Sequence, residues 1–123
     1  MYMAALRVKI DFGNKGLLGP GKVQLLELIQ KHGSIRKGAS AMDMSYRRAW
    51  LLLKELENIM GAPAIAPETG GAKGGGTTLT ELGHTLVDSY RAIEQNAARS
   101  VASDLRFLAQ MAKPKRKTAG KRA

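Results

Sequence analysis

One stretch decides the predicted fold: Met44-Ser45-Tyr46-Arg47-Arg48-Ala49-Trp50-Leu51-Leu52. Ser45 is a favourable N-cap, and apolar residues recur at helical spacing until Gly61, which ends the predicted helix after Met60. At about 100° per residue, one side of this helix is apolar and is predicted to face the core, with the tryptophan buried. This side comprises Tyr46, Ala49, Trp50, Leu52, Leu53, Leu56, Ile59 and Met60. The other side is predicted to be free to meet a ligand; it comprises Arg47, Arg48, Leu51, Lys54, Glu55 and Asn58.

The residues before this helix predict a helix-turn-helix. Ser34 is positioned to cap a short helix from Ile35 to Met42, and Asp43 tolerates the backbone of a tight turn. An earlier helix is predicted to begin at Gly19-Pro20-Gly21 and to end at His32-Gly33. Upstream of it, apolar and charged residues alternate from Leu6 to Phe12, which predicts a half-buried strand, and Gly13 to Gly16 read as a turn.

The residues after this helix predict a hairpin and a last long helix. Two prolines within 62–67 favour a short peripheral strand, and Thr77 to Leu79 can form the return strand. The tip between them holds five glycines around Lys73. Thr80 is positioned to cap a helix of roughly 30 residues, about 45 Å long, with an apolar stripe from Leu82 to Leu108.

This order of elements predicts a mainly α fold with a small β wing, a winged helix-turn-helix over residues 1–112. The last helix, about 80–112, is longer than a domain of this size is wide. Its distal apolar residues, from Ala97 to Leu108, therefore need a cover, and a second copy of the chain is the simplest one. Residues 113–123 hold six basic residues and no acid and are predicted to be a disordered basic tail.

Charge indicates a polyanionic partner. The chain has 20 Lys and Arg against 10 Asp and Glu, a net charge of +10, of which the tail contributes six. Arg47 and Arg48 stand in the first helical turn, where the helix dipole disfavours cations and where phosphates or guanine edges would stabilise them. Leu51 suits a thymine methyl group. The predicted contacts to double-stranded DNA are Ser34, Arg36, Lys37, Ser45, Tyr46, Arg47, Arg48, Leu51, Lys54, Lys73 in the wing, and Lys115, Arg116 and Lys117 in the tail.

Several segments together resemble the DNA-binding domain of the ModE family of molybdate-responsive regulators, over about residues 5–95. They are Gly19-Pro20-Gly21-Lys22, Gly33-Ser34-Ile35, the Met44 to Leu52 stretch, the glycines at 70–76, and Leu79-Thr80-Glu81-Leu82-Gly83. The resemblance implies a homodimer that binds a palindromic operator, with Ser45, Tyr46, Arg47 and Arg48 at the DNA. Family members usually carry glycine where this chain has Asp43. Full-length members continue into oxyanion-binding domains; because this chain ends soon after its last predicted helix, molybdate sensing and a small-molecule effector are not implied.

Other function classes fit the sequence less well. Gly16 to Lys22 matches the first part of a phosphate-binding loop, but Val23 stands where the loop needs Ser or Thr. Without cysteines and with two histidines in different elements, no metal site, cofactor or catalytic set is expected, and no enzyme activity. No membrane partner is expected. The expected location is the cytoplasm, in association with the nucleoid. RNA binding lacks a stacking platform if Trp50 is buried. A nucleoid-associated packaging protein with little sequence preference stays open as the alternative.

Overall fold

Helices α1, α2 and α3 and a two-stranded wing form a winged helix-turn-helix, as predicted. The computed structural model describes residues 4–68 and 76–112. In chain order, its elements are β1 (Ile10–Asp11), β2 (Leu17–Leu18), α1 (Pro20–His32), α2 (Ile35–Ala41), α3 (Tyr46–Met60), β3 (Ile65–Pro67), β4 (Thr77–Leu79), α4 (Glu81–Ser100) and α5 (Ala102–Met111). Strands β1 and β2 pair antiparallel, as do β3 and β4, in two separate sheets. No described helix is both long enough and apolar enough to cross a lipid bilayer.

The ends of the first three helices follow local sequence. Pro20 opens α1 at a position where its missing N–H is not needed. Helix α1 ends at Gly33 with φ +71° and α3 ends at Gly61 with φ +81°, a left-handed conformation that glycine adopts without strain. The predicted boundaries of α1 and α3 are therefore confirmed.

The core lies where α1 crosses the other helices. Val23, Leu25, Leu26 and Ile29 of α1 are completely buried. Helix α2 approaches α1 closely at Gly38, where an added Cβ would lie 2.9 Å from Cγ1 of Ile29. Only a residue without a Cβ fits at this crossing, and the close approach fixes α2, and with it α3, against α1.

Helix α4 ties the N-terminal segment and α1 together. Tyr90 is buried, and its hydroxyl donates a hydrogen bond to the Val8 carbonyl oxygen at 2.6 Å. Burial, followed by the neighbouring Glu94 carboxylate, raises the pKa of Tyr90. Arg91 donates to both carboxylate oxygens of Glu27 on α1, at 2.7 and 3.0 Å, and to Glu94 at 2.6 Å. Because these contacts hold the guanidinium beside two carboxylates, they raise the pKa of Arg91.

Two predicted elements differ in the structure. The strand predicted from Leu6 to Phe12 is confined to Ile10–Asp11, because its partner β2 is only two residues long and folds back through a 3-10 turn at Gly13–Lys15. The last helix is two helices and not one.

The interruption is at Val101, which has φ −116° and ψ 15°. Just before it, the Ser100 hydroxyl donates to the Ala97 carbonyl oxygen at 2.9 Å. A serine that bonds back onto the helix in this way favours a bend. None of the residues of α5 is buried in the described chain.

Candidate nucleic-acid interface

The turn between α2 and α3 sets the direction of α3. Asp43 has φ +56°, a left-handed conformation, at the tight turn that the sequence predicts. The Met44 N–H donates to the Ala39 carbonyl oxygen at 3.0 Å, which closes the turn against the end of α2. The hydroxyl of Ser45 accepts a hydrogen bond from the Arg48 N–H at 3.0 Å, and that of Ser34 accepts one from the Lys37 N–H at 3.0 Å. Both serines therefore cap helices as predicted, and each hydroxyl keeps its own proton to donate.

The solvent-facing side of α3 is cationic with an apolar centre. Arg47, Arg48 and Leu51 are exposed, Leu51 by 41%. In residues 4–68 and 76–112, no carboxylate lies within 4.0 Å of the guanidinium group of Arg47 or Arg48. The two arginines in the first turn therefore face solvent without a counter-charge in the described chain, as a surface that meets phosphates requires.

The remaining predicted contact residues fall into three groups. Lys37 is exposed at the start of α2, and the Arg36 guanidinium carbon lies 4.8 Å from the centre of the Tyr46 ring. Lys54 is exposed on α3 but pairs with Glu57 at 3.5 Å, which partly neutralises it. The others, Lys73, Lys115, Arg116 and Lys117, lie outside the described residues.

Tyr46 and Trp50 are not core residues, contrary to the sequence prediction. Tyr46 is 42% exposed and Trp50 is 43% exposed. The buried side of α3 is centred on Ala49, Leu53 and Leu56, so the two aromatic residues stand at its edge, facing β3. The apolar side of α3 is wider than the strip of the helix that the core covers. The expectation of a buried tryptophan is therefore wrong, and with it the reason given against an aromatic contact to nucleic acid.

Glu55 lies on the opposite edge of α3, about two helical turns after Arg48. No contact of its carboxylate was predicted from the sequence. Its carboxylate pairs with the Lys22 ammonium at 3.1 Å. Lys22 also donates to the Leu17 carbonyl oxygen at 2.6 Å, and its side chain is only 15% exposed. This fixed cation at the start of α1 holds α3 to α1. The signal in the sequence was the Gly-Lys pair at 21–22, which was considered for a phosphate-binding loop.

The wing is anchored at its base to the C-terminal end of α1. Its register pairs Ile65 with Leu79 and Pro67 with Thr77. The Thr77 N–H donates to the Gly33 carbonyl oxygen at 2.9 Å, and the Leu79 N–H donates to the Gln30 side chain at 3.3 Å. The hairpin predicted from Ala62 to Leu79 is confirmed at its base, while its glycine-rich tip lies outside the described residues.

Several curated proteins are similar in sequence to this chain over most of its length. It is 34% identical to a molybdenum transport protein ModE of Azotobacter vinelandii, over 76% of this chain and 34% of that protein. It is 37% identical to a transcriptional regulator ModE of Haemophilus influenzae, over 63% of this chain and 31% of that protein. It is 30% identical to a DNA-binding transcriptional dual regulator ModE of Escherichia coli K12, over 75% of this chain and 35% of that protein. The chain thus spans about a third of the length of these relatives, and no family model matches it.

Solved structures share the fold. The CbnR DNA-binding domain in its DNA complex superposes with a TM-score of 0.55 at 18% identity, over 77% of this chain and 94% of that one. A LysR family transcriptional regulator superposes with the same TM-score and identity, over 75% of this chain and 29% of that protein. At such low identity, these likenesses establish only the winged-helix architecture.

Proposed function

Since this chain contains a winged helix-turn-helix domain of the ModE family, we propose that it is a DNA-binding transcriptional regulator that reads a palindromic operator as a homodimer. Helix α3 is the recognition helix in this proposal and enters the major groove with its N-terminal turn at the base edges. The observation that carries the proposal is the exposed pair Arg47 and Arg48, with no carboxylate in the described chain within 4.0 Å of either guanidinium. We place its action on the bacterial nucleoid, in the cytoplasm.

The charges of α3 favour a duplex over solvent. A cation in the first turn of a helix opposes the helix dipole by about 0.3–1 kcal/mol, and two adjacent arginines do so here. Phosphates and guanine edges reverse that balance, since a guanidinium group binds either through two parallel hydrogen bonds. Leu51 lies one turn further along the same exposed side and suits the methyl group of thymine.

The second helix adds further cations to the proposed interface. Lys37 and Arg36 lie in the first turn of α2, which a helix-turn-helix sets across the DNA backbone. The Ser34 hydroxyl, which caps the same helix, can donate its proton to a phosphate oxygen. We assign Lys73 at the wing tip and the basic segment 113–123 to phosphate contacts that strengthen binding at any sequence.

The homodimer is proposed from the C-terminal helices. Beyond Tyr90, large apolar side chains of α4 and α5 are exposed, Ile93 by 44%, Leu108 by 57% and Met111 by 60%. A second copy related by two-fold symmetry would cover this stripe and set two recognition helices about one DNA turn apart. The residues 80–112 then act as the dimerisation region of a domain that extends over residues 1–112.

Selection of binding sites from a random DNA pool tests the proposal, because the operator need not be known in advance. A regulator should enrich a two-fold symmetric consensus and prefer it over random DNA by about 10³ or more. A protein that packages the nucleoid should bind the pool with no consensus, and that result would replace the proposed function with the alternative.

Variants then test the recognition helix. Arg48→Ala is expected to weaken binding to the selected site by about 1–3 kcal/mol and to relax the base preference. Arg7→Ala removes the same charge from an exposed position outside α3 and outside residues 80–112, and it serves as the matched control, with little change expected at the operator. Equal operator affinity of Arg48→Ala and the unaltered protein would contradict the assignment of α3.

Sedimentation equilibrium tests the dimer. The unaltered chain is expected to be a dimer at micromolar concentration, and Leu108→Glu is expected to dissociate it because a buried carboxylate would lack a partner. Gln110→Glu adds the same charge to an exposed polar position of α5 and should leave the dimer intact. A dimer that survives Leu108→Glu would show that α5 is not the contact.

A further inference from the structure

A groove of about 440 Å³ runs between α3 and β3, on the side of the recognition helix away from Lys22. Tyr46 and Trp50 of α3 form one wall, and Pro63, just before β3, with Ile65 and Pro67 of β3 forms the other. Both aromatic residues are more than two-fifths exposed. A tryptophan is on average highly buried in folded proteins, so its exposure here is unusual. The base-reading residues Arg47 and Leu51 lie on the adjacent side of the same helix, so any duplex on α3 passes this groove.

Cations are stacked on both aromatic rings. The Arg36 guanidinium carbon lies 4.8 Å from the centre of the Tyr46 ring, and the Lys54 ammonium nitrogen lies 5.3 Å from the centre of the Trp50 ring. One cation therefore stacks on each of the two neighbouring rings, Lys54 within the groove lining and Arg36 just outside it. Tyr46, Trp50 and Lys54 stand on successive turns and extend about 12 Å along α3 at 1.5 Å per residue.

We infer that this groove holds one sugar–phosphate strand of the bound duplex, an inference that rests on the proposed function. Trp50 and Tyr46 pack against the apolar edges of deoxyribose, and Arg36 and Lys54 bind the flanking phosphates. Glu57 also lines the groove and pairs with Lys54, so its carboxylate limits phosphate binding at that end and makes Arg36 the stronger cation.

Charge complementarity selects this occupant over an apolar segment of a protein. An apolar protein segment would leave Arg36, which has no carboxylate within 4.0 Å in the described chain, without an anionic partner, whereas a nucleic acid strand presents phosphates beside apolar sugars. A strand contact also explains why bulky aromatic residues remain at the edge of the recognition helix. Because it touches no base edge, it adds affinity without sequence information.

Trp50 is the single tryptophan of the chain, so its fluorescence reports on this groove alone. The experiment measures acrylamide quenching of the unaltered protein, free and saturated with the selected operator or with a random duplex of equal length. Both duplexes are expected to protect Trp50 to the same degree. Protection by the operator but not by the random duplex would mean a base contact, and no protection by either would mean that the groove faces away; both results overturn the inference.

Substitutions separate a strand contact from base reading. Trp50→Ala is expected to weaken operator and random-duplex binding alike, by about five- to tenfold for the loss of an aromatic contact, and Trp50→Phe is expected to recover most of the loss. Arg48→Ala, in contrast, should reduce the ratio between the two affinities. Unchanged affinities for both Trp50 variants, or a changed ratio, would overturn the inference while leaving the proposed function intact.

Two further outcomes would also contradict the inference, and they differ in what they say about the proposed function and about the occupant of the groove. If the unaltered protein binds no duplex at all, the proposed function itself fails, and the groove assignment falls with it. If Trp50 becomes protected with rising protein concentration in the absence of DNA, the groove is a contact between copies of the chain and not a strand site. The quenching measurement uses the unaltered chain, so it stays decisive even if Trp50→Ala fails to fold.

Discussion

Replacing Gly83 with alanine tests how α4 is joined to the wing. Gly83 is buried in the first turn of α4, and its N–H donates to the capping hydroxyl of Thr80 at 3.0 Å. A Cβ at this position would overlap the carbonyl oxygen of Ala64, just before β3. That oxygen already accepts a hydrogen bond from the Thr80 N–H at 2.9 Å. Because the obstructing atom is backbone and is held in place, either α4 or the wing must move.

The magnitude follows from two opposing effects. Alanine in place of glycine favours a helix by about 1 kcal/mol. Overpacking costs about 1–3 kcal/mol, and the upper part of that range or beyond applies where backbone must shift. We therefore expect Gly83→Ala to lower the free energy of unfolding by roughly 2 kcal/mol and the melting temperature by about 10 °C for a domain of this size.

Denaturation in urea, followed by far-ultraviolet circular dichroism, measures the effect. Gly21→Ala is the matched control, because Gly21 lies in the first turn of α1 and an added Cβ there would meet nothing within 4 Å. The control is expected to be neutral or stabilising by several tenths of a kcal/mol. If Gly83→Ala proves as stable as Gly21→Ala, the close approach of α4 to the wing is refuted.

Substitutions at three further positions probe the interface and its support. Asp43→Ala should destabilise the chain by about 1 kcal/mol because of the positive φ, whereas Asp43→Gly should not; equal melting temperatures of the two variants would contradict the left-handed turn. Tyr90→Phe should lower the free energy of unfolding by about 1 kcal/mol, because it removes the hydrogen bond to the Val8 carbonyl oxygen. Since the folded state raises the pKa of Tyr90, its stabilising effect is full below the ordinary value of 10.0 and is lost as pH rises above it, so the alkaline decline in melting temperature should be shallower in Tyr90→Phe. Glu55→Gln should cost at most about 1 kcal/mol with the Lys22 ion pair, and it should tighten binding to operator and random DNA alike, measured by fluorescence anisotropy at several salt concentrations.

The sequence predicted the helix-turn-helix well because its boundaries are local. Ser34, Ser45 and Thr80 each accept a hydrogen bond from a backbone N–H three residues later, and Gly33 and Gly61 each close a helix with a left-handed residue. Such signals depend on neighbours in the chain and not on the tertiary structure.

The features that were predicted wrongly depend on what lies across from a residue in space. Periodicity placed Trp50 on the apolar side of α3, but only packing decides how far the core extends around a helix. The length of β1 depends on its partner β2. Two consecutive leucines at 17 and 18 are too short a pattern to predict that strand. The break at Val101 passes unnoticed in an apolar stripe whose spacing continues through it.

That break divides the C-terminal region into two rods with one joint. Helix α4 is 20 residues long, or about 30 Å at 1.5 Å per residue. In a dimer joined through α5, a change of 10° at Val101 would swing the far end of α4 by about 5 Å, more than one base-pair step of 3.4 Å. Half-sites one base pair closer or farther apart would then be tolerated, and replacing the joint by a continuous helix would narrow the accepted spacing to a single value.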